Sequence, residues 1–173
     1  MEQRGRNIFS ERAMFYGTIF GIIMIFANIF YAIGLRWPPA SHMFLLLLVA
    51  SPFIAGYITI QFREKECNGH LSFSNAWFFL ITMYICSAIL TAIAQLIYFT
   101  FIDNGFLVET MQQLYTEALQ LEGIDPAFAE QLKAMSEMIA SLTPRDIVIN
   151  ILTTNILVSP IITIIIALFV KKR

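Results

Sequence analysis

Between Glu66 and Asp103 the chain runs for 36 residues, Cys67 to Ile102, without one Asp, Glu, Lys or Arg. A helix needs only about 20 mainly apolar residues to cross the roughly 30 Å hydrocarbon core of a bilayer. At about 1.5 Å per residue, the whole stretch would extend over ~50 Å, which suits one tilted or protruding helix and leaves no room for two. Charged residues make up 13% of the chain and hydrophobic ones 58%. A water-soluble domain carries about 25% charged residues, so the long span belongs in a membrane and the rest must be placed around it.

Two hydrophobic segments precede the long span and one follows it. Ala13 to Leu35 is free of charge and closed by Arg36. Its length exceeds the usual 7–15 residues of a signal-peptide core, which favours a retained anchor over a cleaved leader. Trp37-Pro38-Pro39 reads as a tight turn with Trp37 at the interface. Met43 to Ile60 forms the second span, with Pro52 inside it as a tolerated kink. The loop Gln61 to Leu71 carries Arg63, Lys65 and the turn signal Asn68-Gly69. The third span then occupies about 73–101, and Ile147 to Val170 is the fourth, with Pro160 inside it.

From Asp103 to Asp146 eight acids face two bases, a net of −6, whereas the other 129 residues carry +5. Within that insertion, Leu107, Met111, Leu114, Ala118 and Leu121 repeat at helical spacing, as do Phe128, Leu132, Met135, Ile139 and Leu142. Gly123 ends the first helix. Asp125-Pro126 starts the second as N-cap and first-turn proline. Thr143-Pro144-Arg145-Asp146 then caps the last span. Both apolar stripes are expected to turn inward, with Glu109, Glu117, Glu130 and Glu137 wet. The fold class is thus all-α, a four-transmembrane-helix bundle with an amphipathic helical hairpin inserted between spans three and four. One integral membrane domain covers 1–173, with spans at about 13–35, 43–60, 73–101 and 147–170 and the insertion at 103–146.

With both termini in the cytoplasm, eight of the Lys and Arg residues lie on that side, against Arg36, Lys133 and Arg145 outside. Such an asymmetry orients a multi-pass protein of a bacterial inner membrane.

The residues Phe62-Arg63-Glu64-Lys65, then Gly69-His70-Leu71-Ser72-Phe73 and Ala76, carry a family pattern. Together with the glycine-containing first span, the acidic insertion and the lysine-rich end, the chain resembles domain-of-unknown-function family 4199, four-span membrane proteins of Bacteroidota. The resemblance covers nearly the whole length. It implies one integral membrane unit, and it brings no activity, cofactor or catalytic residue with it.

Chemistry is sparse along the chain. Cys67 and His70 form a C-x-x-H pair, but structural zinc takes four ligands and that loop offers no other Cys or His, so a solvated turn is the expectation. No nucleophile elbow or histidine accompanies an intramembrane serine, and no metal, cofactor or catalytic residues are assigned. No basic domain suits nucleic acid. All four spans lack Asp, Glu, Lys and Arg, the usual means of coupling protons to transport. Gly17-x-x-x-Gly21 reads as a close-packing surface within the bundle, ahead of a dimer seam. Asn28, Gln95 and Asn155 each share a helical face with small residues and are expected to converge inside the bundle as an intramembrane polar cluster. The expected role is non-enzymatic, structural or protein-interaction. The bilayer is one partner and a membrane or envelope protein docked on the acidic insertion another. A homo-oligomer is compatible with the spans, and a small oligomeric transporter or channel is the alternative.

Overall fold

The computed structural model describes residues 2–120 and 125–172. Six helices follow one another: α1 (Glu2–Gly34), α2 (Pro38–Glu66), α3 (Phe73–Phe101), α4 (Phe106–Leu119), α5 (Pro126–Ala140) and α6 (Pro144–Val170). Four of them, α1 over Phe9–Gly34 together with α2, α3 and α6, are long and apolar enough to cross a membrane.

The helix ends lie where their caps put them. The prolines at 38 and 39 do not form the turn that Trp37-Pro38-Pro39 suggests. They open α2 in its first turn, where a missing N–H costs nothing, and the turn falls at Leu35–Trp37 instead. Asp125 caps α5, its carboxylate accepting from the Ala127 N–H at 2.7 Å. Thr143 and Asp146 cap α6 reciprocally, the Asp146 carboxylate accepting from the Thr143 N–H at 3.0 Å and the Thr143 hydroxyl accepting from the Asp146 N–H at 3.3 Å. The expected stop at Gly123 lies outside the described residues. Two Asn-Gly pairs, at 68–69 and 104–105, supply positive φ at both positions (51° and 79°, then 52° and 85°) and reverse the chain before α3 and α4.

By its packing the chain falls into two compact units, Met1–Ala94 with Ile151–Arg173, and Gln95–Asn150. In the first, α1 and α2 run antiparallel. The Tyr31 and Phe44 rings meet at 5.2 Å near one end, and Arg12 pairs with Glu66 at 3.0 Å near the other. Alongside α3, α1 runs parallel, with Gly17 against Met83 and Cys86 and Gly21 against Ser87 and Leu90. These glycines therefore serve packing within the chain. Gly56 of α2 faces Ile166 and Val170 of α6. Phe20, Phe62, Phe79, Leu80 and Met83 fill the space between and are fully or almost fully buried. Outward faces are apolar too, Phe53 being 75% and Phe169 84% exposed. A surface of that kind suits contact with lipid tails.

Each intramembrane proline is preceded by a serine, and the pairing has a use. Proline at 52 cannot donate to the carbonyl of Leu48, four residues back, and the Ser51 hydroxyl donates to it instead at 2.8 Å. Proline at 160 likewise leaves the Ile156 carbonyl, which accepts from the Ser159 hydroxyl at 3.1 Å. Both kinks are thus satisfied inside their own helices, as unsatisfied backbone in hydrocarbon demands.

In the second unit α4 and α5 pack on each other. The inward stripes read from sequence are only partly inward. Leu132 is buried and Leu107, Ala118, Ile139 and Leu142 are half-buried, but Met111, Leu114, Phe128 and Met135 are exposed. Two short helices share one narrow seam, and an apolar face wider than that seam has to project from it.

Candidate functional site

The residues that carry the family pattern converge at one end of the first unit. The Phe62 ring stacks on Phe79, with centroids 4.2 Å apart and planes 15° from parallel, and Phe9 meets it edge-on at 5.2 Å. Arg63 lies between two partners, donating to the Glu64 carboxylate at 2.8 Å and to the Val170 carbonyl at 2.6 Å. That second bond places a cation on an orphan carbonyl at the C-terminal end of α6. Leu71 and Lys172 then exchange both backbone hydrogen bonds, at 2.8 and 2.9 Å, in an isolated antiparallel bridge. Ser72 starts α3, its hydroxyl accepting from the Asn75 N–H at 3.3 Å, and Ala76 is fully buried one turn later. The ends of α2, α3 and α6 are thereby tied in one latch, with a motif residue, Arg63 or Leu71, at one end of each hydrogen-bonded tie.

Cys67 and His70 sit beside that latch. His70 is exposed and Cys67 half-buried. Burial first, then the Glu66 carboxylate, push the Cys67 thiol above its ordinary pKa, which keeps it protonated and poorly nucleophilic. Among the described residues no three His, Cys, Asp or Glu side chains come together as a metal site would require.

Of the three intramembrane amides, Asn28 is half-buried and donates to the Met24 carbonyl at 2.7 Å. Gln95 is half-buried as well, in the second unit. The spacing of α6 puts Asn155 on one stripe with Ser159 and Thr163. The structure buries Ser159 and Thr163 and leaves Asn155 exposed. The contacts of α6 with Gly56 of α2, at Ile166 and Val170, lie about three turns or more beyond Asn155.

Sequence reasoning did not single out a second set of polar groups. Trp77 Nε1, the Tyr84 hydroxyl and the Thr91 hydroxyl are buried and have no hydrogen-bond partner among the described residues. They are spaced by seven on α3 and so share one face. The heptad spacing was present in the sequence as the available signal. Asp103, buried, was also passed over. Its carboxylate accepts from the Leu107 N–H at 3.1 Å and so begins α4.

On α4 and α5 the exposed apolar residues are Met111, Leu114, Phe128, Met135 and Met138, while Glu109, Glu117, Glu130 and Glu137 are exposed between them. An acidic surface bearing methionine and phenylalanine is an adaptable apolar contact with a charge preference.

Among the described residues six helices, four of them long and apolar enough for a bilayer, define a helical membrane protein. Within that class, the chain belongs to the family described as Protein of unknown function (DUF4199), which matches residues 15–172. Comparison with curated proteins and with solved structures found no match.

Proposed function

We propose that this protein is a non-enzymatic interaction protein of a bacterial cytoplasmic membrane. In this reading four spans form a bundle with both ends in the cytoplasm, and α4 and α5 form an outward hairpin. The observation that carries it is the set of exposed apolar side chains Met111, Leu114, Phe128, Met135 and Met138 within a segment of net charge −6. Charge selects the partner. A second copy of the hairpin would be repelled and anionic headgroups disfavoured, so a basic amphipathic segment of another membrane or envelope protein fits best.

A photo-reactive residue at Met138 should form an adduct in native membranes that a basic amphipathic peptide displaces. Raising salt should weaken the adduct, as should Glu130→Gln combined with Glu137→Gln. An adduct indifferent to salt and to both charge changes would contradict the reading. Orientation has its own measurement. Cysteines placed at Glu117 and Glu137 should react with a membrane-impermeant thiol reagent in intact spheroplasts, and labelling only after lysis would reverse the assigned sides.

One observation favours a second reading, a small transporter or channel acting as an oligomer. The line of unpartnered buried groups on α3, Trp77, Tyr84 and Thr91, would suit a hydrated path or a polar solute. Solute flux into liposomes that Thr91→Val abolishes would move the assignment there.

A further inference from the structure

The turn Thr153-Thr154-Asn155 lies near the middle of α6, with Asn155 about 14 Å along the helix from Asp146. Every residue from Thr153 to Val158 is exposed. Those six residues make more than one and a half turns, so each side of the helix presents at least one exposed residue there. Several other polar side chains in the spans find acceptors in their own helices. Thr59 donates to Ala55 at 2.8 Å, Thr163 to Ser159 at 2.7 Å and Asn28 to Met24 at 2.7 Å. Among the described residues no such bond is seen from Thr153, Thr154 or Asn155. An amide has two donors and an acceptor, and at this depth the bilayer offers it neither water nor a polar headgroup.

We propose that α6 pairs with α6 of a second copy of this chain, Asn155 against Asn155, across a twofold axis. An amide is its own complement, because each copy can donate to the other's carbonyl oxygen. A twofold axis brings a residue to its own equivalent. From Ile147 to Val170 the helix carries no charge, so two copies meet without repulsion. Leu152 and Val158 flank Asn155 within about 60° on the same face and supply the apolar contact on either side. A single amide in an otherwise apolar seam also fixes the register of the pair. The seam uses none of the α4 and α5 residues proposed for partner docking.

The test uses the full chain in its native membrane, with Cys67→Ala and Cys86→Ala as background. Asn155→Cys is compared with Leu157→Cys, which is exposed but lies about 200° round the helix. Mild oxidation should give a disulfide-linked dimer for Asn155→Cys at several times the yield for Leu157→Cys. In the chain with native cysteines, Asn155→Leu should weaken dimerisation in bilayers about tenfold, the loss of two interhelical amide bonds, while Asn155→Gln retains most of it. Equal yields at the two positions would mean random collision and overturn the proposal. So would a monomer throughout, or association untouched by Asn155→Leu.

Discussion

Replacing Phe62 by alanine is expected to lower the stability of the first unit by about 3 kcal/mol, the lower part of the range for a buried phenylalanine. The ring is 2% exposed, stacked on Phe79 and met edge-on by Phe9 and Tyr16, so its loss opens a cavity among aromatic rings from three helices. The hydrophobic gain of burial is small against a lipid reference, and the cost is mainly lost dispersion contact around the void. Phe53→Ala is the matched control: the same atoms are removed from a ring that is 75% exposed. Unfolding of the purified protein in graded denaturing detergent should show Phe62→Ala far below wild type and Phe53→Ala close to it. Equal behaviour would mean that the rings around Phe62 do not form the core.

Alanine scanning of the glycines should give a second large effect, graded by clearance. A Cβ at Gly17 would lie 2.8 Å from Cys86 Cβ and 2.9 Å from the Met83 carbonyl oxygen, and backbone cannot move aside without separating α1 from α3. Gly17→Ala should therefore cost about 1–3 kcal/mol, the usual range for overpacking. At Gly21 the nearest atom is a flexible one, Leu90 Cδ2 at 3.0 Å, and the cost should be smaller. At Gly56 the nearest atom is Ile166 Cγ2 at 3.5 Å, an ordinary contact, and alanine should be tolerated. Unfolding midpoints that fail to rank Gly17→Ala below Gly21→Ala and Gly56→Ala would contradict the packing of α1 on α3.

What could be read from the sequence depended on whether water or lipid set the pattern. Runs without charge locate hydrocarbon, so the spans were legible, whereas helices continue past the bilayer. Hence α2 extends from Pro38 to Glu66 where the charge pattern marks only Met43–Ile60. Cap chemistry is local, and Asp125-Pro126 and Thr143–Asp146 act as their residue types imply. Facing direction was harder to read, because a lipid-exposed side is as apolar as the core. Nothing in the spacing of α6 separates exposed Asn155 from buried Ser159. In α4 and α5 polar and apolar residues alternate at helical spacing, and the stripes are legible. How much of each stripe the partner helix covers is a tertiary matter, and Leu114 remains 57% exposed. Gly17-x-x-x-Gly21 announced a close approach without naming α3 as the neighbour. The bond from Arg63 to the Val170 carbonyl spans 107 residues, and no local rule points to it.

The latch between Leu71 and Lys172 also bears on how the molecule is made. Ribosomes deliver the chain in order, and α1, α2 and α3 enter the bilayer well before α6. During that interval Arg63 lacks the Val170 carbonyl and the backbone of Leu71 lacks Lys172, so two polar groups at the latch wait for their partners. The aromatic contacts among α1, α2 and α3 need nothing from α6, whereas both ties of the latch wait for residues 170–172. A chain cut before α6 would keep the Arg63–Glu64 pair but leave the Leu71 backbone without its bridge.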